Sequence, residues 1–466
     1  MKQYIKGFFS FSVGTWIRAI ISFLSTPVIS YLIVPEEFGR AAMFTLVYNI
    51  TLLVSLIGLD QSFVRYYYQE EEKSELFWSC LFLPIAFGTF VSFVFILFES
   101  PFSLILYDKN YQGIGLFFTI SLMTGILQRF NQLSIRMQKR GLFYSLLDVA
   151  NSLGNVGGSV VFAVVISRNF YAIVFGQIIG NILALCLGFL LDRASRKLST
   201  VNFKRIGEFL KYGLPLLPTY LLFWLFSSID RISLRQYSNF TEIGLYSAAF
   251  KIVSVMMLFQ TGFTTFWVPT AYEKYETQSD PKRFFKKANN TVSFVIFLFG
   301  LLVLAFKDVI FLLFEKSYRD ASFIAPFLIL QPVMYVISET TVLGINFTKK
   351  THWHIAVTGL AALFNFVGNQ LLVPHLGAKG AALSTGLSYI LFFTLRTIIA
   401  EKLYPIGFNL KKIYIGTLII SSAAFFGTFL KNTPVFLSVT AAGVLLILLL
   451  YKTEMTFLKN QLKSFK

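Results

Sequence analysis

The sequence predicts an all-α integral membrane protein of about 14 transmembrane helices, built as two six-helix bundles followed by two extra C-terminal helices. Three observations carry this. Of the 466 residues, 55% are hydrophobic and only 14% are charged, against roughly a quarter charged in soluble domains. The apolar residues fall in runs of about 20, enough helix to cross a hydrocarbon core roughly 30 Å thick. A β-barrel would show short alternating segments instead, so helices are the remaining way to satisfy a backbone in lipid. Finally, the Lys and Arg between the runs alternate in density from loop to loop.

The first run, near 8–33, follows Lys2 and Lys6. It is too long for a signal-peptide core and lacks a small-residue cleavage site before Pro35, which makes it a retained first helix. Runs near 40–59, 77–98, 114–135, 145–166 and 170–191 complete the first half. A basic loop from Asp192 to Glu208 precedes the stretch from Phe209 to Ile229, which opens the second. Pro215 and Pro218 stand in its first turns, where a missing backbone donor is tolerated. Asp230 and Arg231 close its far end and are expected to form an interfacial ion pair. Runs near 243–268, 291–314, 323–346, 355–373 and 380–400 follow, then 413–430 and 433–450. The expected divisions are 1–206, 207–405 and 406–466, the last carrying the two extra helices and a basic cytoplasmic tail.

Of the 41 Lys and Arg, 28 fall in the N-terminus, the even-numbered loops and the C-terminus, and 10 in the odd-numbered loops; three lie within helices. The positive-inside rule therefore places both termini in the cytoplasm. Dispersed in this way, the net charge of +18 suits anionic lipid headgroups and not nucleic acid.

Internal repetition is visible. EFG at 37–39 resembles EIG at 242–244, and LYDKNY at 106–111 resembles LFEKSY at 313–318, at offsets of 205 and 207; Asn151 and Asn155 match Asn365 and Asn369 at an offset of 214. Because the offset spans six helices, the halves run in the same membrane sense, as two bundles related by an axis along the membrane normal. Paired bundles with ionisable residues inside the membrane point to a transporter.

Arg18, near the middle of the first helix, is costly there unless it meets water, an anion or a carboxylate, and it lies too deep to snorkel. Arg129 in the fourth helix and Lys251 in the eighth are open to two readings, snorkelling or lining a lumen. All three facing one space would make a cationic lumen for a phosphate-bearing substrate, which Arg grips bidentately. Among the few intramembrane carboxylates, Asp60, Asp148, Asp230 and Glu339, the candidates for proton or sodium coupling are Glu339 and Asp148, since a desolvated carboxylate exchanges either cation. The alternative for Glu339 is pairing with a basic neighbour such as Arg18 or Lys251. Asn365 and Asn369, four apart, share a helical face and are expected to hydrogen-bond a neighbouring helix. Gly377, Gly380 and Gly386 read as turn and close-packing positions, and Pro27 and Pro332 as candidate gating kinks or static ones.

Enzyme signatures are lacking. His352, His354 and His375 form no metal-binding or nucleophile motif, Cys80 and Cys186 have no metal-ligand spacing, and no phosphate loop with its lysine occurs. No metal or cofactor is expected. A membrane glycan polymerase or ligase would need a sizeable outer loop, whereas the longest hydrophilic segments here, Asp192 to Glu208 and Glu273 to Asn290, are cytoplasmic by charge.

YGLPLLP at 212–218, DR at 230–231, IGLY at 243–246, NFVGN at 365–369 and VPHLGAKGAA at 373–382 together resemble the polysaccharide-transporter branch of the multidrug/oligosaccharidyl-lipid/polysaccharide exporter superfamily, the Wzx-type flippases. The resemblance spans helices one to twelve. It implies movement of an undecaprenyl-diphosphate-linked oligosaccharide from the inner to the outer leaflet of a bacterial cytoplasmic membrane, by alternating access, for O-antigen, capsule or a similar polymer. It also implies a cationic central cavity, matching Arg18, and a polysaccharide polymerase and other assembly proteins as partners. Peptidoglycan-precursor flippases of the superfamily carry two extra helices too, linked there to the lipid tail, which keeps lipid II open as a substrate. A drug/cation antiporter of the superfamily is the other alternative, and would prefer acidic residues in its cavity.

Overall fold

The structure, a computed structural model, describes residues 2–191 and 200–464, with side chains from residue 14 to residue 460 apart from Thr15. The side chains of Lys2 and Lys6, residues 192–199 of the expected basic loop and the end of the basic tail lie outside the described residues. Every regular element among those described is helical. The chain divides into two compact units, Met1–Ser228 and Ile229–Lys466.

In the first unit, α1 (Lys2–Ser30) leads to α2 (Pro35–Leu56) and the short α3 (Leu59–Tyr66). Then come α4 (Lys73–Leu97), the short α5 (Glu99–Tyr107), α6 (Ile114–Met137), α7 (Gly141–Val165), α8 (Tyr171–Leu191) and α9 (Phe203–Gly213). Pro35 at its first position and Glu36 and Glu37 in its first turn start α2, fixing φ and complementing the helix dipole. Its end is a left-handed pair, Ile57 and Gly58, with φ of 50° and 73°. A Cβ on Gly58 would sit 2.2 Å from the Gly213 carbonyl oxygen, so glycine is required there by both φ and space. Small residues also let α7 and α8 touch: a Cβ on Gly154 or Gly158 would meet the Cα of Gly180 or Gly176 at 2.8 or 3.0 Å. Asn151 on α7 donates to Asn181 on α8 at 3.1 Å.

The expected helix over 209–229 lies within one helical span, Phe203–Tyr237. It is tightened at a 3-10 turn, Leu214–Leu216, between α9 and α10 (Leu217–Tyr237). Pro215 lies in that turn and Pro218 is the second residue of α10, and their missing N–H groups account for the local change of hydrogen bonding. The α9 end of the span is tied down. Arg205 grips Glu70 through two nitrogens, which holds the Glu70 carboxyl below its ordinary range, and Ser62 donates to the Phe209 carbonyl at 2.7 Å.

The second unit continues with α11 (Phe240–Thr277), capped by Asn239, whose side chain accepts from the Glu242 N–H. It runs nine residues past its expected end, through Pro269. Next, α12 (Pro281–Ala305) is capped by Asp280 with Pro281 at its first position. The expected helix near 291–314 ends with the short α13 (Lys307–Phe311), and after a 3-10 stretch Lys316–Phe323 the expected helix over 323–346 runs as three successive pieces, α14 (Ala325–Leu328), α15 (Leu330–Thr341) and α16 (Leu343–Phe347). The stretch bends by 52° between Lys316–Phe323 and Ala325–Thr341; Pro326 and Pro332 each remove a donor from this region.

The runs near 355–373 and 380–400 are two arms, 352–376 and 378–403, of α17 (His352–Leu403), joined at the single non-helical residue Gly377 (φ 55°, ψ −134°). Ser384 on the second arm bonds the Asn365 carbonyl on the first at 2.9 Å. Nineteen residues of straight helix would hold these about 28 Å apart, so the arms fold back on one another. The unit ends with α18 (Leu410–Phe429), α19 (Thr433–Leu450) and α20 (Lys452–Ser464), the first two capped by Asn409 and Asn432. Ten of the described helices are long and apolar enough to cross a membrane, or eleven with the bent pair. The other three of the fourteen expected spans fall on α1, α6 and the second arm of α17, which length and apolarity do not mark as separate spans.

The repeated EFG and EIG segments make the same bond. Glu37 accepts from the Phe170 N–H at 2.8 Å in the first unit, and Glu242 accepts from the Ala378 N–H at 2.8 Å in the second. Each ties the start of one long helix to the start of another. A hydrogen bond to a charged group contributes about 1.5–3 kcal/mol. Glu242→Ala is therefore expected to destabilise the protein by about 2 kcal/mol and Glu242→Gln by less than half of that, read from equilibrium unfolding in mixed micelles. Equal stability of all three proteins would show that the bond carries no weight.

Candidate functional site

Three clusters of charged and polar side chains lie inside the helical units. The first is in unit 1, where α1 and α7 supply one side chain each and α3 and α6 two each. Arg18 on α1 meets Asp148 on α7 at 3.5 Å through one Nη. Asp148 also accepts from Gln132 on α6 at 2.7 Å. One turn before Gln132, Arg129 donates through Nε and Nη2 to Asp60 of α3 at 3.2 and 2.8 Å, and Asp60 accepts from its neighbour Gln61 at 2.8 Å. Residues three apart share a helix face, so α6 brings the two arginine pairs together. The burial is asymmetric: Arg18 and Arg129 are 56% and 37% exposed, while Asp148 and Asp60 are 5% and 8% exposed.

A second cluster lies at Asp230 on α10, in unit 2. Its expected partner was Arg231, but no ion pair joins them. Asp230 is buried and its carboxylate accepts from four neutral donors: Asn365 at 3.1 Å, Asn369 at 2.8 Å, Thr385 at 2.7 Å and the Tyr246 hydroxyl. Arg231 points elsewhere, 5.9 Å from the Phe250 ring centre. The face shared by Asn365 and Asn369 is thus turned to a neighbouring helix, onto one carboxylate. Ser384 bonds the Asn365 side chain at 2.8 Å, while the Asn369 Oδ1 is buried without a hydrogen-bond partner. Thr385 and Tyr246 escaped the sequence reading, although Tyr246 closes the IGLY segment quoted there.

The third cluster is a buried ion pair in unit 2. Glu339 on α15 is bound by Arg396 on the second arm of α17 at 2.7 Å, both side chains 10% exposed. Arg396 also reaches the Ser338 hydroxyl at 3.2 Å, and the Trp267 indole donates to the Glu339 carbonyl at 3.1 Å. The expected partners, Arg18 or Lys251, are not used: Arg18 belongs to unit 1 and is taken by Asp148, and Lys251 sits half-buried on α11. Arg396 lies inside the expected run near 380–400 and is absent from the candidate residues. Of the proline candidates, Pro27 lies inside α1 and its carbonyl accepts from Ser30 at 2.6 Å, and Pro332 lies inside α15. Among the described residues no group of three or more His, Cys, Asp or Glu is placed to hold a metal ion.

Spans of this number, with arginine–carboxylate pairs and a buried carboxylate held among them, define a polytopic helical membrane protein with an ionic interior. Residues 28–323, well over half of the chain, match the model of one family, and the chain belongs to it: the polysaccharide biosynthesis proteins. It is similar to the probable low-salt glycan biosynthesis flippase Agl15 of Haloferax volcanii, with 22% identity over 349 residues, 70% of this chain and 71% of that one. Its fold is similar to that of the lipid II flippase MurJ in an inward closed conformation (16% identity, TM-score 0.71), covering 97% of this chain and 99% of MurJ. An inward-facing multidrug resistance MATE family transporter of the MOP superfamily is also similar (11% identity, TM-score 0.58), over 83% of this chain and 94% of that one.

Proposed function

We propose that this protein is a lipid-linked oligosaccharide flippase, moving undecaprenyl-diphosphate-linked polysaccharide repeat units from the inner to the outer leaflet of a bacterial cytoplasmic membrane. Both termini face the cytoplasm in this reading, and the halves 1–206 and 207–405 act as the two bundles of an alternating-access transporter, with 406–466 appended. Unaided, the headgroup would carry charges and many hydroxyls through hydrocarbon without partners; a polar path removes that barrier. The observation that carries the reading is the pair of half-exposed intramembrane arginines, Arg18 and Arg129, backed by buried carboxylates. Such guanidinium groups suit a diphosphate and not a cationic drug. Family membership and the likeness to a glycan flippase support it. Lys251, on α11 of the second unit, is a separate candidate substrate contact. A polysaccharide polymerase and other assembly proteins would receive the product.

Ion coupling, expected at Glu339 or Asp148, is carried better by Asp230. Glu339 and Asp148 already have arginine partners. Asp230 has only neutral donors, so a proton or Na+ would supply the charge its burial lacks.

The test follows a radiolabelled undecaprenyl-diphosphate oligosaccharide in inside-out vesicles as it reaches the far leaflet. Arg18→Ala with normal membrane insertion is expected to slow this at least about tenfold, the loss of one charge-assisted contact, with partial recovery in Arg18→Lys. Wild-type rates in both variants would remove Arg18 from the substrate path, and no movement by the wild type would end the flippase reading.

A further inference from the structure

Among the described residues five arginines bind carboxylates; Arg205 on α9 grips Glu70, and the other four pair inside or beside the spans in two different ways. Arg40 and Arg396 are themselves buried: Arg40 is gripped by Glu37 and by the half-exposed Glu36, and Arg396 by the buried Glu339 and Ser338. These are closed pairs. Arg18 and Arg129 reverse the arrangement, with the carboxylate buried and the guanidinium outermost.

Their contacts are also incomplete. Arg18 touches Asp148 through a single Nη at 3.5 Å, and Arg129 uses two of its three nitrogens on one oxygen of Asp60. A guanidinium has five N–H donors in a fork that matches two oxygens side by side, so neither arginine is saturated by its partner. Each aspartate, in turn, has a second donor that does not depend on the arginine: Gln132 for Asp148 and Gln61 for Asp60. Removing an arginine would leave each buried carboxylate with one strong hydrogen bond in place, which lowers the penalty for losing the ion pair.

We propose that Asp148 and Asp60 are exchangeable counter-anions: they hold Arg18 and Arg129 in the empty site, and the two negative charges of the substrate's diphosphate displace them, each arginine swinging outward from carboxylate to phosphate. This rests on the flippase reading above and adds to it the identity of the competitor. Binding is then an exchange of anions on two cations that are never left bare. No covalent bond changes. The empty cluster carries two positive and two negative charges, so its arginines incur no unpaired-charge penalty between substrates. Affinity for the diphosphate is held down, which eases release on the far side.

The experiment uses the full-length protein in lipid nanodiscs and farnesyl diphosphate as a soluble probe of the diphosphate, with binding measured by titration calorimetry. Asp148→Asn and Asp60→Asn keep the shape and remove the competing charge; each is expected to bind the probe about tenfold more tightly, while oligosaccharide transfer in vesicles slows because release is slower. Asp148→Glu, which restores a competitor, is expected to return affinity to near the wild-type value. Gln132→Leu moves the other way without changing charge: with Asp148 more dependent on Arg18, the probe binds more weakly. This variant keeps the test decisive if an Asn variant fails to fold. Arg18→Ala controls the underlying reading. If it weakens binding while the Asn variants, at wild-type melting temperature, bind no more tightly than wild type, the counter-anion inference is overturned and the arginine site stands. If wild type and Arg18→Ala bind the probe equally, or neither binds it, the arginine site fails and the inference with it.

Discussion

Arg396→Ala is expected to destabilise the protein by about 3–5 kcal/mol, the usual penalty for stripping one partner from a buried ion pair. Glu339 would keep its charge among α11, α15 and α17 with both side chains of the pair only 10% exposed; the Trp267 indole meets its backbone carbonyl, leaving the carboxylate, among the described residues, no cationic partner and only the neutral Tyr335 hydroxyl beside it. The double variant Glu339→Gln, Arg396→Met removes both charges at similar volume and is expected to regain most of the loss. Equilibrium unfolding of the four proteins of this cycle measures the coupling directly. A coupling below about 0.5 kcal/mol would mean that water or lipid headgroups screen the pair as at a surface. The cycle also separates structure from transport: a stable double variant that still moves substrate makes this pair a brace.

Asp230 behaves differently because its partners are neutral. Asp230→Ala leaves four donors facing an empty acceptor position, and each unsatisfied buried donor costs about 1–3 kcal/mol, so a loss of at least about 3 kcal/mol is expected even after some re-pairing. Asp230→Asn is milder. Its carbonyl oxygen can still accept from Asn365 and Asn369, and its amide can donate to the Thr385 and Tyr246 hydroxyls, which accept as well as donate. Stability within about 1 kcal/mol of wild type is therefore expected, while dependence of transport on a Na+ or proton gradient disappears. Melting curves beside transport rates at imposed gradients measure both. Retained gradient dependence in Asp230→Asn would exclude this carboxylate as the coupling group.

Much of the fold was legible because apolar runs and their spacing report it directly. The face shared by Asn365 and Asn369 followed from four-residue spacing, and the reversal at Gly377 from glycine between two runs. Pairings were harder. Asp230 beside Arg231 looked like an ion pair, yet consecutive residues on a helix point about 100° apart, and the true partners Asn365, Asn369 and Thr385 lie 135 to 155 residues away. Glu339 was expected to have a basic neighbour, but Arg396 stands 57 residues away on another helix, and only tertiary contacts bring the two together. The 3-10 turn between α9 and α10 falls at Pro215, inside a span that stays helical as its apolar run suggests. The two pairs converging on α6 needed tertiary contacts, since Asp60 and Arg129 are 69 residues apart.

The bonds from Glu37 to Phe170 and from Glu242 to Ala378 end on main-chain N–H groups. Such a joint makes no demand on the receiving side chain, which is why a phenylalanine and an alanine can occupy equivalent places in it. The bond itself bars only proline at the receiving position, for it has no hydrogen to give, while the burial of Phe170 and Ala378 limits what else fits there by size alone. The glutamates are limited by chemistry, so a library of small residues at Ala378 should keep the joint while the same residues at Glu242 lose it.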